Sequence, residues 1–195
     1  MNLPGLPFVK IDTLGNDYVY LYRPPPWLVR RPSLIRRLSD RHHGIGSDGL
    51  IGLYPSRQAD FLMRMWNRDG SEGRMCGNGL RGAACFAWTL GLTRRLALVF
   101  ETRGGLFPLR LALRQGRVSS VSVEMGRPCF LRRDIPVTGS PGKEAWGLPL
   151  RVKGRRLRVY ALSFGNPHCV VPVPDVDRFP LSEVGPLLER HRLFP

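Results

Sequence analysis

No run of this sequence is long and apolar enough to cross a membrane, which excludes a helical membrane span. The start, MNLPGLPFVKIDTLGNDYVY, lacks the basic region and apolar stretch of a secretion signal. A cytoplasmic location is the expectation. Cysteine is scarce: Cys76, Cys85, Cys129 and Cys169 are the four, and no two stand as Cys-x-x-Cys. Their spacing fits neither a zinc site nor a disulfide framework, so no metal is expected and free thiols are. Lysine is scarcer: only Lys10, Lys143 and Lys153 among 30 basic residues, the rest being arginine. Acidic residues number 15, which leaves a net charge of +15. The arginines are scattered rather than gathered on one helix. Aromatic residues are not interleaved with them as in RNA-binding motifs, so a nucleic-acid partner is not expected. The excess charge would draw an anionic small molecule.

What remains is globular: 43% hydrophobic and 23% charged residues in 195, enough for one ordinary domain or two small ones. FVKIDTLGNDYVYLYR reads as strand, turn and strand, with Gly15-Asn16-Asp17 supplying the turn. Three prolines in RPPPW indicate a surface connection. SLIRRLSDRHH reads as a short helix capped by Ser33, and Leu50–Tyr54 as a strand. ADFLMRMWNRDGSEG is a strand ending in a polar hairpin turn. Strands follow from Ala97 onward, with a hairpin at Gln115-Gly116 that offers a domain boundary. A short helix begins near Ser182. Between these lies SEGRMCGNGLRGAACFAW, a helix of about ten residues, a usual globular length, with almost no polar face. Such a helix is buried on most sides. Its Gly82, Ala83 and Ala84 would let strands approach closely. Strands around a buried helix make an α+β fold.

Cys76 stands directly before Gly-Asn-Gly at the start of that helix. A helix N-terminus stabilises a thiolate through its dipole and unpaired N–H groups, and those groups also bind carboxylates. Asn16, Asn67, Asn78 and Asn166 each lie beside glycine or at a turn, where asparagine is common for purely local reasons. Gly77 and Gly79 argue against an inert core thiol, which needs no backbone nest around it.

The blocks KIDTLGNDYVYL, DRHHGIGSDGLI, MWNRDGSEGRMCGNGLRGAACFA, FETRGGL, VEMGRP, SFGNPHCVV and GPLLERHRLFP occur in the order found in diaminopimelate epimerases, which this sequence closely resembles. Proline racemases, by comparison, tend to carry Cys-Gly-His-Gly. The resemblance implies a fold of two pseudo-symmetric domains, each with strands wrapped around a central helix. Residues 1–115 would form the first and 116–195 an incomplete second. It implies an isomerase of lysine and peptidoglycan biosynthesis, without pyridoxal phosphate or any other cofactor, that interconverts LL- and meso-diaminopimelate. Two cysteines would work on opposite faces of the α-carbon. Carried over by motif, Cys76 is one of these acid/base groups and His168 a helper. Gly77 and Asn78 would give backbone N–H groups to the α-carboxylate, and Asn16, Asn67 and Asn166 would hold the polar ends of the substrate.

The resemblance also requires a second Cys-Gly at a second helix start. Cys85, Cys129 and Cys169 are each followed by a bulky residue. Cys85, within the helix, would face the core. The expectation is therefore an N-terminal portion of an epimerase, inactive alone, with exposed apolar strand edges after about Gly116. Two alternatives stay open: a non-catalytic protein that binds an amino acid or a partner chain, and a related amino-acid racemase. A small molecule is the expected partner, a homodimer is compatible with the sequence, and a membrane partner is not expected.

Overall fold

The computed structural model describes residues 5–195. In chain order the elements are β1 (Val9–Thr13), β2 (Asn16–Tyr22), α1 (Pro26–Val29), α2 (Pro32–Ser39), β3 (Gly49–Tyr54), β4 (Phe61–Asn67), β5 (Glu72–Gly73), α3 (Gly77–Thr89), β6 (Ala97–Thr102), β7 (Gly105–Arg114), β8 (Arg117–Val123), β9 (Leu148–Val152), β10 (Arg155–Ser163), β11 (Pro167–Val170) and α4 (Leu181–Glu189). They form two compact units, Met1–Met125 and Gly126–Pro195. The hairpin expected at Gln115-Gly116 joins β7 to β8 within the first sheet, and the two units divide further on, at Met125–Gly126.

The first unit is one sheet in the order β1-β2-β3-β4-β6-β7-β8, with β5 added to β4. The pairs β2–β3 and β4–β6 are parallel and the remainder antiparallel. Strand alternation sends Tyr18 and Tyr20 of β2 to one face and Val19 and Leu21 to the other. Both faces are covered. On one lies α3, whose Leu80, Ala83, Ala84, Phe86 and Ala87 are buried with Tyr18, Tyr20, Ile51, Met63 and Phe100. On the other, α1 and α2 cover Val19, Leu21, Leu50 and Trp66 with Leu28 and Ile35. Helix α3 touches β1, β2, β3, β4, β7 and β8, so the sheet curls around it. Its 13 residues exceed the expected ten, and its small residues explain the fit. A Cβ on Gly82 would lie 2.1 Å from the Tyr20 hydroxyl oxygen.

Four local expectations change. The β1–β2 turn consists of Leu14 and Gly15, both at positive φ (58° and 80°), while Asn16 and Asp17 pair with Thr13 and Asp12 inside the ladder. Gly-Asn-Asp carries turn chemistry, but ladder pairing with β1 captures Asn16 and Asp17 for the strand. Pro26 opens the one-turn helix α1, and Pro32, rather than a capping Ser33, opens α2 after Arg31. Proline fits a first helical position because its missing N–H would be unpaired there. Cys85 is half-buried rather than turned into the core, since it lies on the flank between Ala84 and Phe86.

The second unit has an antiparallel sheet ordered β11-β10-β9. Val152 and Val159 bury against Val184 and Leu188 of α4, and Ile135, Val137, Ala145 and Ala161 form a second small core. Strand β11 is exposed along its length. Trp146 (57%) and Val176 (76%) are exposed as well.

Candidate active site

Cys76 is the N-cap of α3, with extended backbone (φ −144°, ψ 118°). Its sulfur accepts the Gly79 N–H at 3.3 Å, the bond a serine or aspartate makes at this position. The first bond of the helix proper runs from Leu80 N–H to the Cys76 carbonyl at 2.9 Å. Gly77 and Asn78 lie ahead of it, so their N–H groups have no intrahelical acceptor. The glycines around the sulfur are closely packed. A Cβ on Gly79 would lie 2.7 Å from Ile51 Cδ1, and one on Gly77 3.3 Å from the Met125 thioether.

Two residues of β2 face the sulfur. Asn16 Nδ2 points at Cys76 Sγ from 4.0 Å, and Asn16 Oδ1 is buried without a partner. A buried acceptor left unpaired costs free energy and invites a donor. Tyr18 is buried (5% exposed). Burial, and then the neighbouring Cys76, raises its hydroxyl above the ordinary tyrosine range, which keeps it a proton-bearing donor. The sequence reading placed Tyr18 on a strand and missed this proximity. Nothing local reports it, because the contact spans β2 and α3.

Asn16 is braced from behind. The adjacent Asp17 is buried and accepts Arg41 Nη2 at 2.7 Å, Arg41 Nη1 at 3.0 Å and Lys10 Nζ at 3.0 Å. Arg41 also reaches Asp48 at 2.9 Å. Asp17 N–H donates to the Asp48 carboxylate at Oδ2, and Asp48 N–H donates to the Asp17 carbonyl. The Arg41 guanidinium holds the Asp17 carboxyl well below the usual carboxylate range. The DRHHGIGSDG segment is thus a clamp on the base of β2.

Asn78 accepts Arg81 Nη1 through Oδ1 at 2.8 Å. Asn67 lies in the same row of the sheet as Tyr18, with Gly49 between them, but its side chain donates to Ser71 Oγ at 3.0 Å and shapes the β4–β5 turn. In the second unit, Asn166 Oδ1 and His168 Nε2 lie 3.1 Å apart at the exposed β10–β11 turn. Cys129 and Cys169 are also in this unit, both exposed. His42 and His43 donate backbone N–H groups to Asp40 Oδ1, and His191 Nδ1 accepts the Leu193 N–H. These three histidines complete turns.

Among the described residues no three acidic, histidine or cysteine side chains are grouped to hold a metal, and no helix is long and apolar enough to cross a membrane. In the first unit an apolar concavity of about 480 Å³ lies between α2 and β2 and is not lined by Cys76, and in the second unit one of about 560 Å³ is lined in part by His168 and Cys169.

Comparison with known proteins matches this arrangement to named relatives. The family model described as diaminopimelate epimerase matches residues 8–131. A diaminopimelate epimerase of Acetivibrio thermocellus is 41% identical over 189 residues, covering 96% of this chain and 67% of its own length. One from Moorella thermoacetica is 44% identical over 192 residues, with 96% and 67% covered. One from Geobacillus thermodenitrificans is 40% identical over 190 residues, with 96% and 66% covered. The chain therefore spans about two thirds of the length of the curated relatives it matches. A probable proline racemase from Agrobacterium radiobacter shares the fold, with a TM-score of 0.66 at 15% identity, over 91% of this chain and 52% of the other. A predicted epimerase from Pseudomonas aeruginosa does so with a TM-score of 0.56 at 18% identity, over 93% and 67%.

Proposed function

The chain belongs to the diaminopimelate epimerase family, and on that footing we propose that Cys76 exchanges a proton with the α-carbon of LL-diaminopimelate on the way to the meso isomer. The observation that carries this reading is the sulfur at the N-cap of α3, bonded to Gly79 N–H and faced by the Asn16 amide. Removing an α-proton demands a basic group within reach of it and a partner for the charge that builds on the carboxylate. The Cys76 sulfur supplies the first. The Gly77 and Asn78 N–H groups supply the second. The unpaired Asn16 Oδ1 suits the substrate's ammonium group, and Asn67 and Asn166 suit its far end. His168 acts as a helper to proton transfer. The chemistry needs no cofactor, because the thiol moves the proton itself, and fits a cytoplasmic enzyme of lysine and peptidoglycan synthesis.

Inversion requires a second acid on the opposite face of the α-carbon. None of Cys85, Cys129 and Cys169 precedes a glycine, so none repeats the Cys76 arrangement. In this reading the 195-residue chain supplies one of the two thiols and does not epimerise alone.

The test is incubation of the chain with LL-diaminopimelate in D₂O. Deuterium enters the α-position through Cys76, and Cys76→Ser lowers its rate at least about 100-fold. Equal incorporation by the variant would sink the assignment of Cys76. Formation of the meso isomer by the 195-residue chain alone would overturn the one-thiol part of the reading.

A further inference from the structure

Arg81 sits in the second turn of α3, close to the positive end of the helix dipole, where a cation is electrostatically disfavoured. The first turn of α3 contains no acidic residue to compensate. No ion pair among the described residues involves Arg81. Its side chain instead runs back toward the N-terminus, as helical side chains do. There Nη1 donates to Asn78 Oδ1 at 2.8 Å and lies 3.9 Å from the position a Cβ would take on Gly77. The guanidinium thus flanks the two residues whose N–H groups lead the helix, and its charge is not neutralised by a carboxylate.

We propose that Arg81 is a positioning and specificity residue that selects a carboxylate-bearing ligand at the Cys76 end of α3. It fixes the Asn78 side chain and adds a unit of positive charge to the field of the helix terminus. The inference rests on the reading that this terminus receives the substrate carboxylate. A guanidinium suits the task, since it stays charged at every working pH and holds Asn78 through one N–H, while its other N–H groups have no acceptor among the described residues.

The experiment compares alkylation of Cys76 by iodoacetate and by iodoacetamide, read by mass spectrometry at that residue. The two reagents differ in the carboxylate, and their rate ratio cancels changes in sulfur exposure or nucleophilicity. In the unsubstituted chain the iodoacetate/iodoacetamide ratio exceeds that of N-acetylcysteine and declines toward it with added salt. Arg81→Lys keeps most of the excess. Arg81→Gln lowers the ratio about fivefold and Arg81→Glu about 25-fold, the effect of one and two unit charges a few ångström away in partly screened surroundings. Arg110→Gln, on an exposed position of β7, leaves the ratio within about twofold, which separates Arg81 from the general basic surface.

An unsubstituted ratio no higher than that of N-acetylcysteine would refute the carboxylate-site reading itself. A raised ratio that Arg81→Gln and Arg81→Glu leave unchanged would refute the role of Arg81 alone. Where the glutamine variant does not fold, the lysine–glutamate contrast carries the same decision.

Discussion

Replacing Gly82 with alanine tests whether α3 is held where the active-site geometry needs it. The new Cβ would fall 2.1 Å from Tyr20 Oη, 2.6 Å from Tyr20 Cζ and 3.3 Å from Thr13 Oγ1. Tyr20 is fully buried, and its hydroxyl donates to the Gly79 carbonyl at 3.3 Å, so the ring has no free space to retreat into. Overpacking of this kind costs about 1–3 kcal/mol. Disrupting the buried hydroxyl's hydrogen bond adds about 1–3 kcal/mol. Alanine's better helix propensity returns about 1 kcal/mol. The net expectation is about 3 kcal/mol of destabilisation. With an m-value of about 2 kcal/mol/M, the urea midpoint falls by about 1.5 M. Tyr20→Phe removes the nearest clashing atom and leaves the Cζ contact, so the double variant recovers about half the loss, a coupling of at least about 1 kcal/mol. A Gly82→Ala midpoint within about 0.3 M of the unsubstituted chain would refute the packing argument.

Cys76→Ser keeps an N-cap acceptor, so stability by thermal unfolding changes by no more than about 0.5 kcal/mol while α-deuterium incorporation is lost; a large loss of stability would make the sulfur structural. Phe86→Ala empties a buried site beside Tyr20, 5.8 Å away between ring centroids, and costs about 3–5 kcal/mol by urea titration. Asp17→Asn destabilises the chain at neutral pH. Because Arg41 depresses the Asp17 carboxyl in the folded state, its contribution is complete above the ordinary carboxylate range and fades as pH falls through that range and below. The stability gap between the two proteins therefore narrows from about pH 5 to about pH 2; a gap constant with pH would rule out the ionised clamp.

The N-cap position of Cys76 could be read from spacing alone. Cysteine before Gly-Asn-Gly and an apolar run specified an N-cap thiol, and the small residues of α3 specified a helix that strands could enclose. Asn16 was not legible as a strand residue, because Gly-Asn-Asp has the same chemistry in a turn and at the start of β2. Only pairing with β1 decides between them. Pro26 read as part of a surface connection and Ser33 as a cap, where Pro26 and Pro32 each open a helix. Tyr18 and the Asp17–Arg41–Asp48 clamp are assembled by long-range folding, and no local pattern encodes them. Arg81 differs: three residues from Asn78 on one helix, it was readable from periodicity, but the scattered arginines elsewhere hid it.

The enclosure of α3 by β1 through β8 also sets an order of events during synthesis. Strands β1 to β5 precede the cysteine in the chain, whereas β7 and β8, which close over the helix, follow it and end at Val123. The apolar sides of α3 lack part of their cover until β7 and β8 are made, so the turn that holds the sulfur against the Gly79 amide gains its full packing only once residues up to Val123 are present.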